Sequence, residues 1–261
     1  MKKIIPLFLL LFFLFFVGGG NALLAGEQKL ESIQTVKKCN YDDIISFCHF
    51  AIIVDKDGYL NVREQPGISS KIIGNAKLGE VVFILDDSKK DWLLIKFKVE
   101  CGNSNTGYVH RSGIKFINTF EQIPAADYDE DFVNFTLKDI TVNIKTDRFD
   151  YQLNRGDFSK DFKGFYKYKG KFMLGTEGQI AGVIMHYKSI ILRIGEQIVK
   201  IPSRDFEDLF NPNNQYSECY FNKSDDTLYL HFSNSDGSSS YFVLFIIQNG
   251  ILKERRIEIP L

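Results

Sequence analysis

Cysteine catalysis needs a thiolate with a base beside it, so the chain's four cysteines and four histidines are the first residues to weigh. Cys219 lies in Ser217-Glu218-Cys219-Tyr220-Phe221, without the helical run that a cysteine peptidase places after its nucleophile. His231 is the nearest histidine in sequence, in a neighbouring strand pattern, and a structural cysteine is the simpler reading. His49, His110, His186 and His231 stand apart from one another and form no spaced ligand motif, so neither metal nor cofactor is expected. A pair of carboxylates can always be drawn among 33 acidic residues, which makes glycosidase chemistry unspecified rather than indicated. No nucleophile elbow, phosphate loop or dinucleotide fingerprint is present, and no enzymatic activity is expected.

Binding chemistry is better supplied. In Asp57-Gly58-Tyr59-Leu60-Asn61-Val62-Arg63-Glu64-Gln65-Pro66-Gly67, apolar Leu60 and Val62 alternate with Tyr59, Asn61 and Arg63. This is the period-2 pattern of a half-buried strand, and Pro66-Gly67 turns the chain after it. Tyr59, Asn61 and Arg63 therefore share the outward face. Downstream come the Leu78-Gly79-Glu80 turn, Trp92 at the head of another strand pattern, and Gly107-Tyr108-Val109 followed by His110-Arg111.

Leu60-Asn61-Val62-Arg63, Pro66, the Gly79 turn, Trp92 and Gly107-Tyr108-Val109, in that order, resemble the bacterial SH3 (SH3b) family over roughly residues 52–117. The resemblance implies a small SH3-like barrel that brings Trp92, Tyr108, His110 and Arg111 near the Tyr59, Asn61 and Arg63 face. Members of the family bind cell-wall peptides in some cases and serve as spacers or protein docking units in others. Aromatics offer flat apolar contact, while Arg and Asn fix carboxylates and amides, as a peptide or glycan groove requires. The plainer role is structural, with Trp92 and Tyr108 closing the barrel ends and Arg63 paired with Glu64 or Asp57.

The elements that position these residues read as all-β. A first strand is expected at Phe50–Val54, then strands at Ile72–Gly74 and Val81–Leu85 whose continuous apolar runs suggest burial on both faces or a bent barrel strand. In Trp92–Val99 one of two sets, Trp92/Leu94/Lys96 or Leu93/Ile95/Phe97, must face the core, and a turn at Gly102–Asn105 returns the chain through Thr106–His110. The barrel domain is assigned to 50–118. A linker is assigned to 119–130, where Pro124-Ala125-Ala126 and acids break the strand pattern. Residues 131–261 read as a second antiparallel β domain, a sandwich or barrel of no recognised family, with a hairpin at Thr227–Phe232 and Tyr241–Ile247 and a short helix at Arg204–Phe210.

Lys2 and Lys3 precede an apolar run, Ile4–Val17, and small residues ending at Ala22 or Ala25, so residues 1–25 are expected to be a cleaved signal peptide that leaves no stable membrane span. Residues 26–49 form a polar leader. Export places the cysteines where thiols pair. Cys39 and Cys48 are close enough for a local bridge, and Cys101 with Cys219 would fasten the two domains, although one bridge with two free thiols fits equally well. A net charge of -1 offers no basic field for nucleic acid. The sequence thus points to an exported, periplasmic or extracellular envelope protein that docks a wall peptide or a protein partner. The alternative is a wall hydrolase or hydrolase inhibitor whose activity sits in the C-terminal half, with Asn211–Gln215 or Ser233–Ser240 as a protruding loop.

Overall fold

The alternation expected around Leu60 and Trp92 is realised in a computed structural model that describes residues 49–98 and 104–259, all within one compact unit. The segment expected to be a signal peptide, most of the expected leader, Cys39, Cys48, Cys101 and the Gly102-Asn103 part of the expected hairpin tip lie outside the described residues. The described chain is all-β, with twenty strands interrupted by 3-10 turns.

Strands β1 (Phe50–Ile53), β2 (Tyr59–Arg63), β3 (Ile72–Lys77), β4 (Val81–Asp86), β5 (Trp92–Lys98), β6 (Ser104–His110) and β7 (Ile114–Phe116) form one sheet in the order β3-β2-β6-β5-β4-β1-β7. It curls around a single core that includes Ile53, Val62, Ala76, Val82, Leu93, Ile95, Phe97 and Val109. Leu93, Ile95 and Phe97 are thus the inward set, which turns Trp92 outward. The Gly79 amide donates to the Ile53 carbonyl (2.9 Å) and the Val54 amide to the Gly113 carbonyl (2.9 Å), extending the pairing of β1 with β4 and β7. Gly113 lies so close to β2 that an added Cβ would sit 2.6 Å from Leu60 Cδ1, and one on Gly107 would sit 2.5 Å from Val62 Cγ1. Glycine is required at both positions by this close approach.

The stretch expected to be a linker is largely strand. β8 (Glu121–Ile123) pairs with β17, and β9 (Ala125–Asp129) pairs with β10, in different sheets. Pro124, which cannot donate to a ladder, falls where the chain leaves one sheet for the other, so the break in the strand pattern marks a change of sheet. One sheet is β16-β15-β11-β10-β9, from β10 (Phe132–Leu137), β11 (Ile140–Arg148), β15 (Met185–Ile194) and β16 (Gln197–Lys200). The other is β20-β19-β18-β17-β8, from β17 (Ser217–Asn222), β18 (Thr227–Asn234), β19 (Tyr241–Gln248) and β20 (Ile251–Glu258). Their inner faces, among them Val133, Phe135, Val142, Ile144 and Leu192 against Leu228, Leu230, Phe232, Val243 and Phe245, share one core, as in a β-sandwich. A small sheet of β12 (Phe158–Lys160), β13 (Tyr166–Tyr168) and β14 (Lys171–Phe172) is inserted between β11 and β15 over its own aromatic cluster. The helix expected at Arg204–Phe210 is a 3-10 turn at Ser203–Asp205, held where Arg255 donates to the Asp205 carbonyl (2.8 Å) and grips the Asp208 carboxylate at both oxygens (2.6 and 3.0 Å).

The β17–β20 sheet is buried on both faces. Its outer face, with Tyr220, Tyr229, Leu244 and Ile246, meets Phe50, Ile52, Val81 and Phe83 of the barrel and Ile117 beyond it. This explains the unbroken apolar runs: Val81–Ile84 are all buried, as are Thr227–Phe232. β3 does not follow suit, since Ile72 is exposed. Polar contacts rim the seam, with Lys96 bound to Glu258 (2.6 Å) and Lys98 to Glu254, both acids also facing Arg256.

Candidate ligand-binding face

Because β1 and β4 are spent on the sandwich and Lys96 and Lys98 tie the far end of β5 to it, the barrel's free outer surface is the one carried by β3, β2, β6 and the Trp92 end of β5. Register places Arg63 beside Tyr108, Tyr108 beside Leu94, and Trp92 beside His110, and a bulge after Val62 sets Ile72 beside Arg63. A row Ile72–Arg63–Tyr108–Leu94 therefore crosses four strands, with the Trp92–His110 pair next to it. The Trp92 and His110 rings meet edge to face with centroids 5.4 Å apart. The His110 Nδ1 accepts from the Ser112 amide (3.3 Å) and faces the Ser112 hydroxyl (2.7 Å), so the neutral ring carries its proton on Nε2.

Both arginines brace loops. Arg63 Nη1 donates to the Ser70 carbonyl (2.6 Å) and pairs with neither Glu64 nor Asp57, and the loop it holds raises Ile68, 84% exposed. Arg111 donates through Nε to the Lys90 carbonyl (3.0 Å) and through Nη2 to the Asp87 carbonyl (3.1 Å), with the Asp87 carboxylate 3.7 Å away and the guanidinium over Phe116. The connection it fixes sets Lys89 Nζ 5.1 Å from the centre of the Tyr108 ring. Arg63 and Arg111 thus hold loops through their guanidinium groups, while the Trp92, Tyr108 and His110 rings are turned outward. Asn61 and Tyr59 lie farther along β2, opposite Asn75 and Lys77, with Tyr59 exposed.

Lys89, Ile68 and Ile72 were not singled out from sequence. Lys89 reads as one charge in a polar connection and Ile72 as a core strand residue. Ile68, a large apolar residue at a loop tip between Gly67 and Ser69, carried the only signal.

Cys219 is a free, fully buried thiol on the inner face of β17, between Ile123 and Leu230, and burial pushes its pKa well up. It points into the sandwich core while the barrel packs on the sheet's other face, and Cys101, the partner expected for it, lies outside the described residues. His231 pairs in register with Glu218, on that other face, and so turns away from the thiol. The 211–215 loop does not protrude: Asn213 donates to Asn234 Oδ1 (3.1 Å), Asn211 Nδ2 to the Gly175 carbonyl (2.7 Å), and Asn214 is buried.

Among the described residues no group of three or more His, Cys, Asp or Glu is placed to hold a metal, and no helix is long and apolar enough to cross a membrane. No curated protein and no solved structure matches the chain. Residues 58–115 match the bacterial SH3 domain, from the turn before β2 into β7, which suggests a binding module in this part of the chain and leaves β1 and the whole sandwich outside the match.

Proposed function

We propose that the protein is a non-catalytic, exported envelope protein whose bacterial SH3 module binds a cell-wall peptide, or a protein partner in the envelope, through the β2–β6–β5 face. The observation that carries this reading is the division of the barrel's surface. One side is consumed by the sandwich, and the side left free holds half-buried Trp92 against exposed His110 and half-buried Tyr108 beneath Lys89, with exposed Ile68 and Ile72 alongside. Half-buried aromatics with a cation at their edge suit a chain that offers an apolar surface and a carboxylate. The basic residues and apolar run of 1–25 support export, and mass spectrometry of the secreted form tests it through loss of that segment.

Co-sedimentation with purified peptidoglycan tests the binding. The full chain is expected in the pellet and Trp92→Ala in the supernatant; equal retention of the two, or of neither, counts against wall binding by this face. A hydrolase or inhibitor role for the sandwich loses one of its two candidate loops, since Asn211–Gln215 is tied into the sandwich, while the Ser233–Ser240 loop keeps Asp236, Gly237 and Ser238 exposed.

A further inference from the structure

A second hollow, of about 400 Å³, lies at the end of the sandwich between the β9–β10 turn and the 211–215 loop. Its apolar walls are Tyr128, Met185 and Pro212, and Asp129 and Glu130 stand exposed at its rim. Asn214 lines it and is itself only 6% exposed. The Asn214 Nδ2 donates to the carbonyls of Asp129 (3.0 Å) and Glu130 (2.8 Å). Two carbonyl acceptors on one side of the amide fix its orientation, because a flipped amide would set oxygen against oxygen. The Oδ1 is therefore left buried, with no hydrogen-bond partner among the described residues. An unpaired buried acceptor costs about 1–3 kcal/mol, and a donor brought by a ligand would recover part of that.

The hollow is built in advance of any ligand. Thr146 donates from its hydroxyl to the Glu130 carbonyl (2.9 Å) and from its amide to the Asp131 carbonyl (2.8 Å), pinning the turn from below. On the opposite wall the Asn213 amide donates to Oδ1 of buried Asn234 (3.1 Å), which also accepts from the Tyr187 hydroxyl (3.0 Å). Arg148, opposite Met185 in register, is exposed at the end of its strand.

We propose that this hollow is a ligand site separate from the SH3 face, and that it takes a primary ammonium group on an apolar stem, as in a lysine side chain. The stem lies along Tyr128, Met185 and Pro212, the ammonium meets the Asp129 and Glu130 carboxylates, and one of its N–H groups donates to Asn214 Oδ1.

The test uses the full chain labelled with nitrogen-15. Nα-acetyl-lysine methylamide is titrated in while the amide signals of Asn213, Asn214 and Gln215 are followed, with Nα-acetyl-norleucine methylamide as the uncharged control. The lysine probe is expected to give saturable shifts at these amides, and norleucine to bind at least about fivefold more weakly, the worth of one exposed charge contact. Asp129→Asn with Glu130→Gln, both at exposed positions, is expected to weaken lysine binding at least about fivefold with the melting temperature unchanged. Absent shifts, equal binding of norleucine, undiminished binding by the double variant, or displacement of the probe by calcium chloride at millimolar concentration would each overturn the proposal. Binding to peptidoglycan through Trp92 is read separately and stands or falls without it.

Discussion

The two sides of the small barrel close over the same core, yet they differ in what their strands turn outward. β1 and β4 present Phe50, Ile52, Val81 and Phe83, every one buried against the sandwich, while β2, β6 and β5 present Arg63, Tyr108, His110, Trp92 and Leu94, half-buried or exposed. A barrel that is also a structural layer has one of its sides covered, and under the proposed function the other is the side left for a ligand. The difference separates stability from recognition: a substitution on the first side should act on folding, and one on the second on binding.

The largest effect is expected at the seam. Phe50 is completely buried and meets Phe83 edge to face at 5.2 Å. Phe50→Ala should cost about 3–5 kcal/mol. A unit of this size loses roughly 2–4 °C per kcal/mol, so the melting temperature should fall by about 10 °C. A loss under about 1 kcal/mol would mean that the barrel and the sandwich do not share this core.

Lys96 and Glu258 sharpen the comparison electrostatically, since Glu258 is buried at the seam while Lys96 keeps some exposure. Lys96→Ala should cost about 1–2 kcal/mol, because it strips a buried carboxylate of its closest cation and leaves only the longer Arg256 contact. A double-mutant cycle with Glu258→Gln measures the coupling, and a coupling near zero would show that the pair contributes nothing.

Acid should weaken the same seam. His49 lies over Phe83 and Phe242, with centroids 5.4 and 5.0 Å away. Burial first, and His231 second, hold its pKa below the usual histidine value, while the Ile84 backbone and Asp87 act the other way. His231 in turn bonds Glu218 (3.0 Å). A histidine with a depressed folded pKa stays neutral in the folded state where the unfolded chain already takes up a proton. Its contribution is therefore whole above about pH 6.5 and drains away as the pH falls from there to the folded pKa. His186, also depressed by burial, adds to the slope in the same sense. His49→Phe, which keeps an aromatic ring in place, should flatten part of the fall in melting temperature between about pH 6.5 and 5. An unchanged profile would remove His49 from the account.

The smallest effect on stability is expected on the free side. Trp92→Ala should cost about 1 kcal/mol, since the ring is half-exposed and mainly contacts His110, while wall retention is lost. A stability loss as large as that of Phe50→Ala would make Trp92 a barrel-closing residue and return the site to a structural role.

The sequence carried the periodic parts well and the partnered parts poorly. Alternation at Leu60 and Val62, and the close-packed Gly107, placed β2 and β6 directly, and the β18–β19 hairpin was visible in its two apolar runs. Continuous apolar runs such as Val81–Ile84 say that both faces are covered but not by what, so the seam was invisible until Tyr229 and Leu244 were seen opposite Phe83. Pro124 had the composition of a linker because a change of sheet and an end of domain use the same residue for the same reason. Cys219 read as a candidate bridge partner, and spacing does not record which face of a strand a thiol occupies. The arginines read as outward polar groups, and the structure adds that Arg63 Nη1 and Arg111 Nε and Nη2 donate to loop carbonyls, a choice set by loop geometry that residue type does not encode.

Trp92 is the only tryptophan in the chain and it stands on the free face, so its fluorescence reports on that face alone. Titrating the full chain with soluble wall peptide released from peptidoglycan should give a saturable change in Trp92 emission that Tyr108→Ala weakens at least tenfold. Wall-peptide binding that leaves the Trp92 emission unmoved would contradict the assignment of this face as the binding side.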